Sequence, residues 1–203
     1  MVVYISINGV LRNIIQKFEY HYKDYFLETE TTEDDYFEYD IKYPILNDDL
    51  HNSFNFQSEE EFNNFCYIEF PLELFVHAGL SYQTAVSDLN KVIYENKNVS
   101  FTLIGVDEFG KAKPSTFFFL SKNGFLGNNV KFITFDNIEK EWEQCDMWIT
   151  DNKFILDKCP ENKIPVKFNT KYNEHFTIEN EINDLKKINE LCLKFSEKNT
   201  TSM

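Results

Sequence analysis

The sequence is poor in the features that define several common classes of protein. Its 203 residues include 20 basic side chains, of which Arg12 is the one arginine, against 34 acidic ones, so the net charge is −14. Binding to a phosphate backbone depends on clustered Lys and Arg side chains, so direct binding to nucleic acid is not expected. The chain also lacks any run of about 18 apolar residues and the basic and apolar stretches of a signal peptide. We therefore expect a soluble protein with no membrane partner.

Residues that bind metals or cofactors are also sparse and scattered. The four cysteines, Cys66, Cys145, Cys159 and Cys192, lie far apart, and no C-x-x-C pair occurs. Zinc sites and redox motifs need close spacing, so these residues are predicted to be reduced thiols in the protein interior. The four histidines stand singly, and there is no glycine-rich phosphate loop or G-x-S-x-G motif. No metal and no cofactor are therefore expected.

Apolar and aromatic residues are plentiful. They make up 42% and 17% of the chain, with 21 Phe and 11 Tyr. A chain of this composition can bury a substantial core, and about 100 to 200 residues form one domain. The sequence predicts one folded domain, with room for an inserted subdomain.

Strand and helix patterns alternate along most of the chain. An apolar run at Val2–Ile7 ends at Asn8-Gly9, and helical spacing follows from Val10 to Phe26. After Val99, short apolar runs alternate with helical patterns that begin at Pro114, Ile138 and Asn152. The later strands are predicted at 99–106, 130–135, 147–150 and 164–168, and a last helix at 178–195. This order predicts an α/β, Rossmann-like parallel sheet flanked by helices.

The stretch between the first two predicted strands reads as a small, mostly helical insertion. It opens with seven acids between Glu28 and Asp40, which we interpret as a solvated loop or, alternatively, a docking surface for a basic partner. Ser58 and Ser81 are predicted to cap helices, and Pro71 to begin one. The expected organisation is a core of residues 1–26 and 98–195, a cap-like insertion of residues 27–97, and a frayed tail of residues 196–203.

The first strand and turn resemble the first motif of the haloacid dehalogenase (HAD) superfamily, and the insertion resembles the cap of its deoxyribonucleotidase-like members. That motif is a strand ending in Asp-x-Asp-Gly-Thr, and this chain has Ser6-Ile-Asn8-Gly-Val10 at the matching place. In the family the first Asp attacks phosphorus and helps to hold Mg²⁺, and the second acts as general acid and base. Both carboxylates are replaced here.

The later motifs of the family are matched in part. Gly105 stands near the position of the phosphate-gripping Ser or Thr and has no hydroxyl group. Lys140 matches the phosphate-neutralising lysine, and Thr150 and Asp151 match the Asp pair that positions the metal. Alternatively, Lys140 is a surface residue and Asp151 is a helix N-cap. Because loss of a nucleophile costs roughly a million-fold in turnover, the resemblance implies a catalytically inactive member.

The leading hypothesis is a structural or interaction protein that contacts other subunits of a larger assembly. Overall likeness to proteins of crAss-like tailed bacteriophages suggests a virion component, such as a ring, connector or capsid-associated subunit; a chain that is not phage-encoded would be cytoplasmic. One alternative is a Mg²⁺-dependent nucleotidase-like phosphatase that uses Asp107, Asp151 or Asp157. Another is a module that binds phosphate or nucleotide through Lys140 and the amides after Ser6. The exposed member of the triplet 117–119 would anchor an interface or pack in the core.

Overall fold

A six-stranded parallel sheet forms the centre of the protein. The computed structural model describes residues 1–27, 39–47 and 49–200, with side chains described up to residue 195 apart from that of residue 27. The strands are β1 (Val2–Ser6), β2 (Arg12–Asn13), β3 (Gly79–Leu80), β4 (Ser100–Val106), β5 (Val130–Ile133), β6 (Met147–Thr150), β7 (Ile164–Phe168) and β8 (Glu181–Ile182). The sheet has the order β5-β4-β1-β6-β7-β8 with every pair parallel, and β2 and β3 form a separate antiparallel pair. This confirms the predicted Rossmann-like α/β class.

Helices connect the strands and cover the sheet. They are α1 (Ile15–Tyr22), α2 (Leu50–Ser53), α3 (Glu59–Asn64), α4 (Pro71–Phe75), α5 (Ala85–Glu95), α6 (Ala112–Lys122), α7 (Ile138–Trp142), α8 (Lys153–Asp157) and α9 (Ile188–Thr200). Helices α1 and α3 continue into π-helical turns, Lys23–Leu27 and Phe65–Glu69. In the part of the chain that the structure describes, no helix is both long enough and apolar enough to span a bilayer.

Side chains that alternate along β1 divide the core into two layers. Val3 and Ile5 point to the face covered by α5, α6 and α9, where they join a large aliphatic cluster. Tyr4 points to the opposite face, where it packs with Trp142 of α7 and Trp148 of β6. Ser6 is two residues beyond Tyr4 and belongs to that second face, at the carboxyl end of the strand.

The insertion has an aromatic core of its own. Phe18 and Tyr22 of α1 pack with Phe54, Phe56 and Phe65. Helix α1 therefore packs with the insertion although it lies in the predicted core segment 1–26. Helix α5, in contrast, lies within the predicted insertion 27–97 but packs on the sheet. Of the acidic stretch, residues 28–38 lie outside the described part of the chain.

Several predicted elements are confirmed. The bounds of β6 and β7 are those predicted. Ser58 caps α3, since its Oγ accepts a hydrogen bond from the Glu61 backbone N–H at 3.1 Å, and Pro71 is the first residue of α4. Gly124 follows α6 with φ of +73°.

Two predicted helices form but begin later than predicted, and a third predicted segment is only partly helical. The helix predicted from Val10 begins at Ile15, because residues 12 and 13 pair with residues 79 and 80. Ser81 does not cap a helix; its hydroxyl donates to the Val10 carbonyl, and α5 begins at Ala85. The predicted helix 178–195 contains β8, because residues 181 and 182 complete the edge of the sheet beside β7. The predicted tail begins inside α9, which continues to residue 200.

Candidate functional site

A cavity of about 710 Å³ lies between the carboxyl ends of the central strands and the aromatic insertion. Ser6, Asn8, Thr150 and Asp151 all line it, so the fold brings together four of the six positions singled out from the sequence. Parallel strands open ligand crevices at this edge, which explains the convergence of residues far apart in the chain. On the insertion side the wall is mostly apolar and includes Phe18.

Ser6 is held by an aromatic side chain of the neighbouring strand. Trp148 Nε1–H donates a hydrogen bond to Ser6 Oγ at 3.1 Å, and the Trp148 ring meets Tyr4 edge-on with centroids 5.5 Å apart. Among the described residues, this indole is the one side chain that bonds to Ser6 Oγ. An indole N–H has no acceptor capacity, so it cannot take the hydroxyl proton. Ser6 therefore lacks the general base that a serine nucleophile requires.

Asn8 serves as a hydrogen-bond acceptor for Arg12. Arg12 Nε donates to Asn8 Oδ1 at 2.8 Å, and the backbone N–H groups of residues 11 and 12 both donate to the Ile7 carbonyl. The amide of Asn8 thus stabilises the tight turn after β1. An amide cannot donate and reclaim a proton as a carboxyl group does, so Asn8 cannot act as the acid and base of the family motif.

Arg12 is buried in the wall of the crevice. Its Nη1 donates to the Phe75 carbonyl at 2.8 Å and its Nη2 to Thr116 Oγ1 at 3.2 Å. The guanidinium also lies 5.1 Å and 5.2 Å from the ring centroids of Phe75 and Phe119. Burial lowers the pKa of Arg12 to about 9, so the group remains charged at neutral pH. All three nitrogen atoms of the guanidinium donate hydrogen bonds to other residues of the chain, and these bonds tie the turn after β1 to α4 and α6.

Asp151 projects over the turn that follows β1. Asn47 Nδ2 donates to Asp151 Oδ2 at 2.7 Å and to the Asp151 carbonyl at 2.8 Å. A Cβ atom at Gly9 would lie 1.8 Å from Asp151 Cγ, and Gly9 also has φ of +80°. Gly9 is therefore required both by its backbone conformation and by the close approach of this carboxylate.

Thr150 and Asn152, which flank Asp151, have local structural roles. Thr150 is fully buried, and its Oγ1 accepts a hydrogen bond from the Asn152 backbone N–H at 3.2 Å. Asn152 caps α8, because its Oδ1 accepts from the Ile155 backbone N–H at 3.2 Å. The alternative interpretation of Asp151 as the helix cap was wrong by one residue, and the carboxylate instead lines the crevice.

The remaining sequence candidates do not line the cavity. Lys140 is exposed on α7, and Gly105 packs under the Phe132 ring, where a Cβ atom would lie 2.9 Å from Cε1. Asp107 accepts hydrogen bonds from the backbone N–H groups of residues 111 and 113, each at 3.1 Å. Asp157 pairs with Lys153 along α8. None of these four residues is among the lining residues of the crevice.

The side chains of the crevice do not fit a magnesium ion. The carboxylates among its described lining residues are Asp151, which binds Asn47, and the exposed Asp49, which accepts from Asn52 Nδ2 at 2.8 Å. No three His, Cys, Asp or Glu residues of the described chain come together in a way that could hold a metal ion. Mg²⁺ gives up its water reluctantly and needs carboxylates to hold it. The described residues of the crevice therefore do not supply the ligands that Mg²⁺ would need for a HAD-type reaction.

A row of polar side chains on the crevice wall was not singled out from the sequence. It comprises Asn47, His51, Asn169 and Tyr172. Asn169 and Tyr172 follow the carboxyl end of β7, and the same topological rule that pointed to Ser6 and Asp151 would have found them. Asn47 and His51 come from the insertion, where no sequence signal marks them.

The fold and the crevice define a Rossmann-like α/β domain. Neither a family model nor a curated protein matches the sequence. Among solved structures, the fold is similar to that of a chain described as a haloacid dehalogenase-like hydrolase of Burkholderia xenovorans LB400, with a TM-score of 0.55. The two chains are 10% identical over 95% of this chain and 96% of the other. The chain thus shares the overall fold of that structure.

Proposed function

We propose that this chain is a HAD-like domain without phosphoryl-transfer activity that acts through contacts with other protein subunits. The observation that carries the proposal is the chemistry of three crevice positions. Ser6, Asn8 and Thr150 stand where the family has carboxylates, and each side-chain oxygen accepts a hydrogen bond from the protein itself. The site has become part of the folded framework.

The size of the catalytic loss supports this proposal. Removing one member of a concerted catalytic set can cost roughly a million-fold in turnover. Here the nucleophile, the acid and base group and one metal-positioning residue are replaced together. The fourth position, Asp151, keeps its carboxylate but binds Asn47. A single carboxylate has no partner with which to divide the nucleophilic and proton-transfer roles.

Exposed apolar side chains on the insertion support a role in protein contacts. Tyr20 of α1 is 62% exposed, Ile68 of the π-helical turn after α3 is 56% exposed, and Leu72 of α4 is 55% exposed. Exposed apolar side chains of this kind can supply contacts in a protein interaction site. On α6, Phe119 is buried in the core while Phe118 is exposed, so the triplet contributes both to packing and to the surface.

A second candidate, a Mg²⁺-dependent phosphatase, is favoured by the HAD-like fold and by the position of Asp151 in the crevice. The two candidates are separated by incubating the purified protein with Mg²⁺ and p-nitrophenyl phosphate or deoxynucleoside monophosphates. We expect no turnover above a blank. Turnover that Asp151→Ala abolishes, and that Ser6→Ala and the surface control Asp157→Ala leave intact, would establish the phosphatase and refute the proposal.

The assembly part of the proposal has a separate test. A bacteriophage virion is the specific assembly that we propose, with this chain as a ring, connector or capsid-associated subunit. Mass spectrometry of purified particles from the source should then detect the chain at a fixed ratio to the other subunits. Its absence from particles, together with a monomer in solution, would refute this role.

A further inference from the structure

Charged side chains are divided unevenly along the chain. Residues 27–80 carry 14 acids and one lysine, whereas residues 109–135 carry four lysines and no acid. The first stretch lies between α1 and α5, and the second contains α6 and β5. Their net charges are therefore −13 and +4, in a chain whose total is −14. Opposite charges on two parts of one chain make each part complementary to the other part of a second copy.

The outer side of α6 presents a basic and apolar stripe. Its residues are Lys111, Pro114, Phe118 and Lys122. All four are exposed, and side chains three or four residues apart lie on the same side of a helix. The opposite side of α6 is also apolar, since Phe119 and Leu120 join the core. A helix that is apolar on both sides is typical of a helix with both sides covered, so the basic stripe predicts a second contact.

An acidic groove of about 350 Å³ continues the basic stripe towards the insertion. Its apolar lining residues are Tyr67, Ile68 and Phe109. Helix α3 contributes the exposed carboxylates of Glu59 and Glu60. The rings of Tyr67 and Phe109 have centroids 5.1 Å apart, which places the segment before α6 against the insertion. Because Lys111 belongs both to the groove lining and to the stripe, the two surfaces are adjacent on one molecule.

We propose that two copies of this chain form a symmetric dimer in which the basic stripe of each copy lies against the acidic groove of the other. A two-fold axis between adjacent complementary surfaces brings both pairs together at once. Phe118 then meets the apolar lining of the partner's groove, and Lys122 meets its carboxylates. Along α6, Lys122 lies about 16 Å beyond Lys111, so its charge is separated from the groove of its own copy.

The test is sedimentation velocity of the full chain over a range of concentrations. At about 150 mM NaCl the Debye length of about 8 Å screens the repulsion between two acidic chains, and we expect a dimer with a Kd of about 100 µM or tighter. Lys122→Glu should weaken the dimer at least about ten-fold, because it replaces attraction by repulsion twice in a symmetric interface. Phe118→Ala should weaken it by a similar factor, because it removes two apolar anchors. Lys140→Glu, at an exposed position of α7, is the matched control.

Exchanging two charges distinguishes an ion pair across the interface from an effect of net charge. Glu60→Lys makes the chain less acidic, so reduced repulsion alone would tighten the dimer, whereas the proposed contact predicts a weaker one. The double variant Lys122→Glu with Glu60→Lys keeps the wild-type net charge and should recover the wild-type Kd to within about three-fold.

Four outcomes would overturn the inference. They are a wild-type monomer at about 500 µM, unchanged dimerisation in both Phe118→Ala and Lys122→Glu, no recovery in the double variant, and a monomer whose stripe binds a fluorescent oligothymidine that Lys122→Glu no longer binds. The inference names a partner for the proposed protein contacts and so rests on the proposed function. A monomeric chain that is present in particles would overturn the inference alone, and turnover in the phosphatase assay would refute the proposed function alone.

Discussion

Replacing Arg12 with Met should destabilise the protein strongly, although the new side chain is apolar and enters an apolar environment. The change removes the donors to Asn8 Oδ1, the Phe75 carbonyl and Thr116 Oγ1. The three acceptors remain in the variant, and two of them, the Phe75 carbonyl and Thr116 Oγ1, stand where the wild-type hydrogen bonds are buried. Met is long enough to keep packing between the rings of Phe75 and Phe119.

The magnitude follows from two opposing effects. Each buried acceptor left without a donor costs about 1–3 kcal/mol, and loss of the cation–π attraction to the two rings adds about 1–2 kcal/mol. Against this, the burial that lowers the pKa of Arg12 to about 9 is a desolvation cost that the Met variant no longer bears. Since the acceptors remain unpaired, we expect a net loss of about 3 kcal/mol in the free energy of unfolding.

Equilibrium unfolding in urea measures this loss. With an m-value of about 2–3 kcal/mol per M, the midpoint should fall by about 1–1.5 M with m unchanged. Lys122→Met, at the exposed end of α6, removes a positive charge from the surface and should change stability by less than about 0.5 kcal/mol. A midpoint for Arg12→Met equal to or above that of the wild type would refute the reasoning, because desolvation would then outweigh the three hydrogen bonds.

Two further predictions concern the crevice turn and the thiols. Gly9→Ala should lower the free energy of unfolding by about 2 kcal/mol or more, since φ is +80° and the new Cβ meets Asp151; urea unfolding that matches the wild type would contradict this. Burial raises the pKa of Cys159 and Cys192 to about 11, so at pH 8 both should react with a thiol reagent roughly a hundred-fold more slowly than in unfolded protein. Because the pKa of each thiol is higher in the folded than in the unfolded protein, the free energy of unfolding should fall as the pH rises from about 9 towards 11. Equal labelling rates in buffer and in urea would contradict the burial.

The central strands could be predicted because their residues carry the pattern locally. Met147–Thr150 and Ile164–Phe168 are short apolar runs between polar turns, and they form β6 and β7 as predicted. The same local rule fails near the C-terminus, where Ile178, Ile182 and Leu185 have helical spacing. Residues 181 and 182 form β8 instead, because the edge of β7 offers hydrogen bonds that no local pattern records.

The site could be predicted only where it depends on topology. Once a parallel sheet is predicted, the ends of its strands must meet, so Ser6 and Asp151 were expected at one edge. The partner of Asp151 is Asn47, which lies 104 residues away and belongs to the insertion. Arg12 was expected on a helix, and its burial depends on α4 and α6, which supply two of its three acceptors.

The sequence by itself determined the fold class and placed Ser6, Asn8 and Thr150 after the strands, since strand patterns and residue types are local properties. The tertiary structure alone decided what these side chains bind. Ser6 accepts a hydrogen bond from an indole, Asn8 accepts one from the buried guanidinium, and Asp151 accepts one from Asn47. Burial and hydrogen-bond pairing are properties of packed neighbours, and most of these neighbours lie far apart in the chain.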